Sequence, residues 1–115
     1  MRAYQLALAL MVLATPALAE IIAPSEAAKH VGQTVTVEGP VSDVHHAASG
    51  RATFLDMGGR YPENVFTAVI FKDDASKFPN VDALAGKVVD VTGPIRLNRG
   101  RPEIILNDPQ QIKAK

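Results

Sequence analysis

The stretch Gly32-Gln33-Thr34-Val35-Thr36-Val37-Glu38-Gly39-Pro40-Val41 recurs in pattern as Gly86-Lys87-Val88-Val89-Asp90-Val91-Thr92-Gly93-Pro94-Ile95. Both copies follow G-x-x-V-x-V-x-G-P-[VI]. Each alternates apolar and polar residues with the two-residue period of a half-buried strand. Each then meets a Gly-Pro pair. Glycine inside a strand marks a bulge or a tight bend, and proline cannot donate to a strand ladder. Two strands that bend at Gly-Pro and continue point to a small closed β-barrel, because one long bent strand can serve both halves of a curled sheet.

The remaining elements follow on either side. The first strand extends over 34–45, and 47–50 form a loop. A second strand spans 51–57 and stops at Gly58-Gly59, with a turn over 60–64. The third strand, 65–71 (VFTAVIF), is almost continuously apolar, as a central strand is. The connector over 72–85 carries Asp73-Asp74, which can cap one helical turn, and a second turn follows near 80–84. The fourth strand, 87–97, holds the second motif. Asn98-Arg99-Gly100 is a hairpin turn with glycine where positive φ is needed. The fifth strand is 101–106, with Pro102 marking an edge or strand end, and a polar tail follows Asn107-Asp108-Pro109. Residues 23–30 form a short N-terminal helix, started at Pro24 or Ser25 and stopped at Gly32.

Residues 1–19 stand apart from this pattern. Arg2 is a positive n-region, 6–14 (LALALMVLA) a short apolar run, and Ala17-Leu18-Ala19 a small-residue cleavage site. That is a secretory signal peptide, too short for a membrane span of about 20 residues. Removing nineteen of the 115 residues leaves 96, enough for one domain over 20–115. The chain has no cysteine, so this domain folds without disulfides and without thiol-ligated metal. The expected location is the periplasm or the medium. Without Arg2, eleven Lys and Arg face twelve Asp and Glu, a net charge of −1 with His neutral. Strong non-specific nucleic-acid binding normally shows as a basic domain, so any polyanion site must come from local clustering.

The order strand, strand, strand, short helix, strand, strand gives an all-β, five-stranded Greek-key OB-fold barrel, with its helix between strands three and four. The chain resembles bacterial OB-fold domains of the nucleic-acid-binding superfamily. The residues that carry the likeness are 35–39 (VTVEG), 53–62 (TFLDMGGRYP), 66–71 (FTAVIF), 86–93 (GKVVDVTG) and 100–106 (GRPEIIL). More loosely, it is similar to small exported bacterial OB-fold proteins linked to stress responses. The resemblance implies a binding protein. It does not select the ligand, since OB-folds bind oligonucleotides, oligosaccharides, peptides and ions.

OB-folds bind on the face of strands two and three, flanked by the loop after strand one and the loop between strands four and five. Here those loops are 45–50 and 97–101. Arg96, Asn98, Arg99 and Arg101 cluster at the second loop, and Arg51 and Arg60 bracket strand two. Arginine's planar fork suits phosphate and carboxylate. The blander reading is a hairpin tip kept soluble by charge. Tyr61, between Gly-Gly-Arg and Pro62, is the ring placed for stacking on a base. Phe54 shares a face with Ala52 and Asp56, and packs in the core or lines a wet face. Phe66, Ala68 and Ile70 share one parity, and Val65, Thr67, Val69 and Phe71 the other; parity alone does not choose the core set.

His45-His46 raises a metal site with Asp43 or His30, but adjacent strand residues point to opposite faces, so no metal is expected. Nuclease chemistry would draw on Asp56, Arg60, Glu63, Arg101 and Glu103, which show no nuclease spacing. Asp56 reads as a turn cap before Gly58, and Glu103 as the wet face of an edge strand. No Ser-His-Asp, Cys-His, phosphate-loop or dinucleotide motif is present. The sequence therefore points to an exported binding protein without catalysis or cofactor. Its expected ligand is single-stranded nucleic acid or another polyanion, contacted by Arg51, Arg60, Tyr61, Arg96, Asn98, Arg99 and Arg101. The alternative is a protein-interaction or envelope-stress module with a protein partner.

Overall fold

A computed structural model describes residues 18–115. The expected signal peptide falls outside them except for Leu18 and Ala19. Eight strands form one sheet: β1 Glu20–Ile22, β2 Thr34–His46, β3 Ala52–Met57, β4 Phe66–Phe71, β5 Val88–Pro94, β6 Arg96–Asn98, β7 Arg101–Ile105 and β8 Ile112–Ala114. A 3-10 helix, Pro24–His30, precedes β2, and two more, Lys72–Lys77 and Val81–Leu84, lie between β4 and β5. Among the described residues, no helix is long and apolar enough to cross a membrane.

The two copies of the motif pair with each other. β2 and β5 are antiparallel, with Val35 opposite Gly93, Val37 opposite Val91 and Gly39 opposite Val89. The ends match as well: Gly32 N donates to the Ile95 carbonyl and Gly86 N to the Val41 carbonyl, both at 2.8 Å. The first glycine of each copy thus ties down the last residue of the other. The valines Val35, Val37, Val89 and Val91 all point into the core.

Gly39 and Gly93 hold their places for room. Neither has positive φ. A Cβ on Gly39 would sit 2.9 Å from Pro24 Cγ, and one on Gly93 would sit 2.7 Å from Ile104 Cγ2. The ladder runs unbroken through both. The expected bulge at Gly39 therefore falls elsewhere, at the register shift between Val41 and Asp43. Beyond it, β2 leaves β5 and pairs with β3.

The sheet closes through residues 88–98. β5 pairs with β2, Ile95 follows, and β6 pairs with β7. β7 runs parallel to β4, β4 pairs with β3, and β3 returns to β2. Five stretches of chain complete this circuit. The strand count is nevertheless eight, because the fourth stretch divides at Ile95 and two short strands add to the rim. β1 pairs in parallel with β2, and β8 pairs with β5. The polar tail is thus not irregular throughout. Gln111 Oε1 accepts from the Asn107 and Asp108 backbone amides, which caps the turn that leads into β8. The core holds Leu55, Met57, Phe66, Ala68, Ile70, Ile104 and Leu106 together with the motif valines. Phe66, Ala68 and Ile70 are therefore the inward set of β4.

The outer face of the β2–β5 ladder places Glu38 opposite Asp90, and like charges directly opposed work against a sheet. Lys115 Nζ lies 3.0 Å from Glu38 and 3.6 Å from Asp90. Its hydrogen bond holds Glu38 below the usual carboxylate range. Burial, followed by the hydrogen bond and charge of Glu38, pushes Asp90 up, and Asp90 Oδ1 is buried without a partner among the described residues. Glu38 contributes stability above its ordinary value of 4.5, lost as the pH falls through its lowered one. Asp90 contributes below its ordinary 3.8, and that share is lost as the pH rises through its raised value. Ionised Asp90 therefore opposes folding at pH 7. Asp90→Asn should raise Tm at about pH 7, with the gain vanishing near pH 3; a lower Tm at neutral pH would contradict this.

Candidate functional site

Cross-strand partners share a face, so the register draws one row of side chains across five strands. Arg96 on β6 opposes Glu103 on β7, and Glu103 opposes Thr67 on β4. Thr67 opposes Asp56 on β3, and Asp56 opposes Asp43 on β2. Their neighbours along the strands, Leu55, Met57, Phe66, Ala68 and Ile104, fill the core. The row therefore runs over the outside of the barrel. Beside it runs a second row with His45, Phe54, Val69 and Ile105.

Asp56 is the node of the first row and only 1 % exposed. Its Oδ2 accepts from His45 Nε2 at 2.9 Å. Its Oδ1 accepts from Asn64 Nδ2 and from the Thr67 hydroxyl, each at 3.3 Å. Asn64 in turn uses its Oδ1 to accept from Arg101 Nη2 at 2.6 Å. The same Nη2 reaches the carbonyls of Pro62 and Asn64, both at 3.2 Å. The Arg101 guanidinium lies 5.4 Å from the centre of the Tyr61 ring, within cation–π range. One chain of contacts thus runs from the sheet through Asn64 and Arg101 to the loop that carries Tyr61.

A cleft of about 400 Å³ opens over this chain. His45, Phe54, Asp56 and Thr67 line it from β2, β3 and β4, Pro102 and Glu103 from β7, and Tyr61, Asn98, Arg99 and Arg101 from its rims. The His45 ring centre is 5.1 Å from Phe54 and 6.4 Å from Tyr61. Phe54 is half-buried and belongs to the cleft. Arg99 sits at the hairpin tip with φ 54°, the one non-glycine residue with positive φ among those described. It makes no ion pair or side-chain hydrogen bond among the described residues.

The structure thus gathers Tyr61, Asn98, Arg99 and Arg101 from the expected set. Arg96 is spent on Glu103, with Nε donating to Oε2 at 2.8 Å. Arg60 lies 3.6 Å from Asp43 and is exposed at the side of the cleft. Arg51 stands at the opposite end of β3 from Tyr61 and does not line the cleft. Two expectations are corrected. Asp56 is no turn cap: the bonds to His45, Asn64 and Thr67 bury it in the floor. Glu103 is no wet edge residue: β7 lies between β6 and β4, and the side chain is 7 % exposed. His45, Asn64 and Thr67 were not singled out for binding. Strand parity could have signalled His45 and Thr67 once the core side was known, but Asn64 lies in the loop before β4 and carries no such signal.

His45 and His46 do point to different places. Asp43, His45 and Asp56 offer ligand atoms within 4.8 Å of one another, a set that could hold a metal ion. His46 instead donates from Nε2 to Asp82 at 2.8 Å, and its Nδ1 lies 2.9 Å from the Thr53 hydroxyl. These three side chains edge a second cavity of about 310 Å³, walled by Ala52, Ile70, Phe78, Pro79 and Val81.

No protein-family model matches the chain, and no curated protein sequence matches it. Solved structures do. An OBody bound to hen egg-white lysozyme matches with a TM-score of 0.60 at 19% identity, over 90% of this chain and 98% of that one. A protein described as an aspartyl-tRNA synthetase from Leishmania major matches with a TM-score of 0.58 at 18% identity, over 92% of this chain. Aspartyl-tRNA synthetase from Entamoeba histolytica matches with a TM-score of 0.50 at 18% identity, over 75% of this chain. The matched region spans about a fifth of each synthetase, 22% and 19%. At these identities the likeness speaks for the fold, and it agrees with an OB-fold barrel.

Removing the acceptor at the node should loosen both floor and rim. Asp56→Ala removes the acceptor of the His45 and Thr67 donors and one of the three acceptors around Asn64 Nδ2, which costs about 1–3 kcal/mol. Urea unfolding measures the loss. A change below about 0.5 kcal/mol, the range of ordinary surface substitutions, would show that Asp56 is not the node.

Proposed function

We propose that this is an exported, single-domain OB-fold protein that binds single-stranded nucleic acid in the cleft and carries out no catalysis. The observation that carries this reading is the set of His45, Phe54 and Tyr61 rings in one cleft beside the unengaged Arg99. Single-strand binders combine aromatic faces for the bases with cations for the backbone. Tyr61 is 65% exposed and backed by Arg101, so it offers an open face held in place from behind. Arg99 tolerates a left-handed backbone that costs a non-glycine residue about 1 kcal/mol, and asparagine would fit that turn better. The Arg99 side chain lines the cleft without a partner among the described residues, which supports a role in binding. Two of the matched structures carry tRNA in their names, and the OB-fold is a common oligonucleotide binder. Export rests on the pattern of residues 1–19; cleavage after Ala19 would leave β1, which starts at Glu20, intact.

The second reading, a protein partner on the same cleft, draws on the OBody complex with lysozyme. Fluorescence anisotropy with labelled dT12 separates the two. Binding should weaken about two- to threefold between 50 and 200 mM salt for each phosphate neutralised, as counterion release requires. Tyr61→Ala should weaken it by about tenfold, the scale of one lost base stack. Arg99→Asn should weaken it while leaving Tm unchanged or higher, because Asn-Gly suits this turn. The same DNA incubated with protein and Mg²⁺ should stay full-length. Absence of binding at micromolar protein and low salt would hand the cleft to a protein partner, and cleavage lost in Asp56→Asn would make the protein a nuclease.

A further inference from the structure

We propose that Glu103 reads guanine in the strand held by the cleft, an inference that rests on the nucleic-acid reading above. Of the carboxylates in the outer row, two are already engaged. Asp56 is bonded on both oxygens, and Asp43 faces Arg60. Glu103 differs. Its side chain is 93% withdrawn from solvent, being 7 % exposed, and it lines the cleft. Oε2 accepts from Arg96 Nε at 2.8 Å, which fixes the rotation of the carboxylate. Oε1 accepts no hydrogen bond among the described residues and is not sealed from the cleft. Oε1 is thus open to solvent, and a ligand donor would replace water on it.

The chemistry of the bases then selects one. An ionised carboxylate only accepts, through two oxygens side by side. Unpaired bases present their Watson–Crick edges to such a group. Guanine carries two adjacent donors there, N1–H and the 2-amino group. Adenine and cytosine set one amino donor beside a ring-nitrogen acceptor, and thymine flanks one donor with two carbonyls. Three of the four bases would therefore turn an acceptor toward Glu103. Guanine alone meets Oε1 and the remaining lone pair of Oε2 with donors. Tyr61 and Phe54 line the same cleft and supply faces on which the base can stack.

The test uses labelled dT12 and the same strand with one central thymidine replaced by dG, dA, dC or deoxyinosine, read by anisotropy. The dG strand should bind about tenfold tighter than dT12, the discrimination of one bidentate contact. Inosine lacks the 2-amino donor and should lose most of that gain. Glu103→Gln keeps an oxygen for Arg96, and should bring the dG strand within about twofold of dT12 measured on the same variant. Thermal melting checks that this variant is folded; if it is not, the inosine comparison on the unaltered protein decides. Equal affinity for all five strands, or a dG preference that survives in Glu103→Gln, would overturn the role of Glu103 while the nucleic-acid reading stands. No binding to any strand would overturn both.

Discussion

Residues 88–98 serve two neighbours. Val88–Pro94 pair with β2, and Arg96–Asn98 pair with β7, with Ile95 buried between them. This single stretch converts an open sheet into a closed one, and closure gives every strand an inside and an outside. The motif repeat is what makes the join firm. Each copy lies antiparallel to the other, valine against glycine at both ends and valine against valine at the centre. The missing side chains on Gly39 and Gly93 leave space for Pro24 and Ile104. A β-branched residue at either place would force the N-terminal helix or β7 outward, and β7 carries Arg101, Pro102 and Glu103 of the candidate site.

The outside of the closed sheet is where the chemistry gathers. The inward set on β3, β4 and β7 is apolar apart from Thr53, while the outward set holds Phe54, Asp56, Thr67, Arg101 and Glu103. Buried polar groups in such a row need mutual hydrogen bonds. Asp56 supplies them to Asn64, Thr67 and His45, and Arg101 extends the chain to the Tyr61 loop. The resulting cleft has a fixed floor and rims whose cations are partly spent. Arg96 and Arg101 hold protein groups, which leaves Arg99 as the cation most open to a ligand.

Much of this architecture was legible from residue patterns. Alternation placed the long strands, and Asn98-Arg99-Gly100 located the hairpin because a two-residue turn demands positive φ. Three-residue strands carry no such pattern. β1 and β8 are held by pairing to β2 and β5, a tertiary fact that local sequence does not express. The bulge was misplaced for a related reason. Glycine can serve either a bend or a close approach, and only the neighbours of Gly39 and Gly93 reveal which. Asn98, Arg99 and Arg101 were accessible as rim residues because the OB-fold expectation names the 97–101 loop, and Tyr61 because its place between Gly-Gly-Arg and Pro62 marks an exposed turn. Asp56 and Glu103 were misjudged because a carboxylate in a strand is usually exposed. Their burial depends on partners 7 to 11 positions away that only the register brings together.

The central claim is that the outer row and its cleft form the binding face. Backbone amide shifts of the ¹⁵N-labelled protein, followed by NMR while dT12 is added, test it directly. The account predicts that the largest shifts fall on His45, Phe54, Asp56, Tyr61, Thr67 and the 98–103 hairpin. Largest shifts instead at the His46–Asp82 cavity, or along β1 and β8, would contradict it.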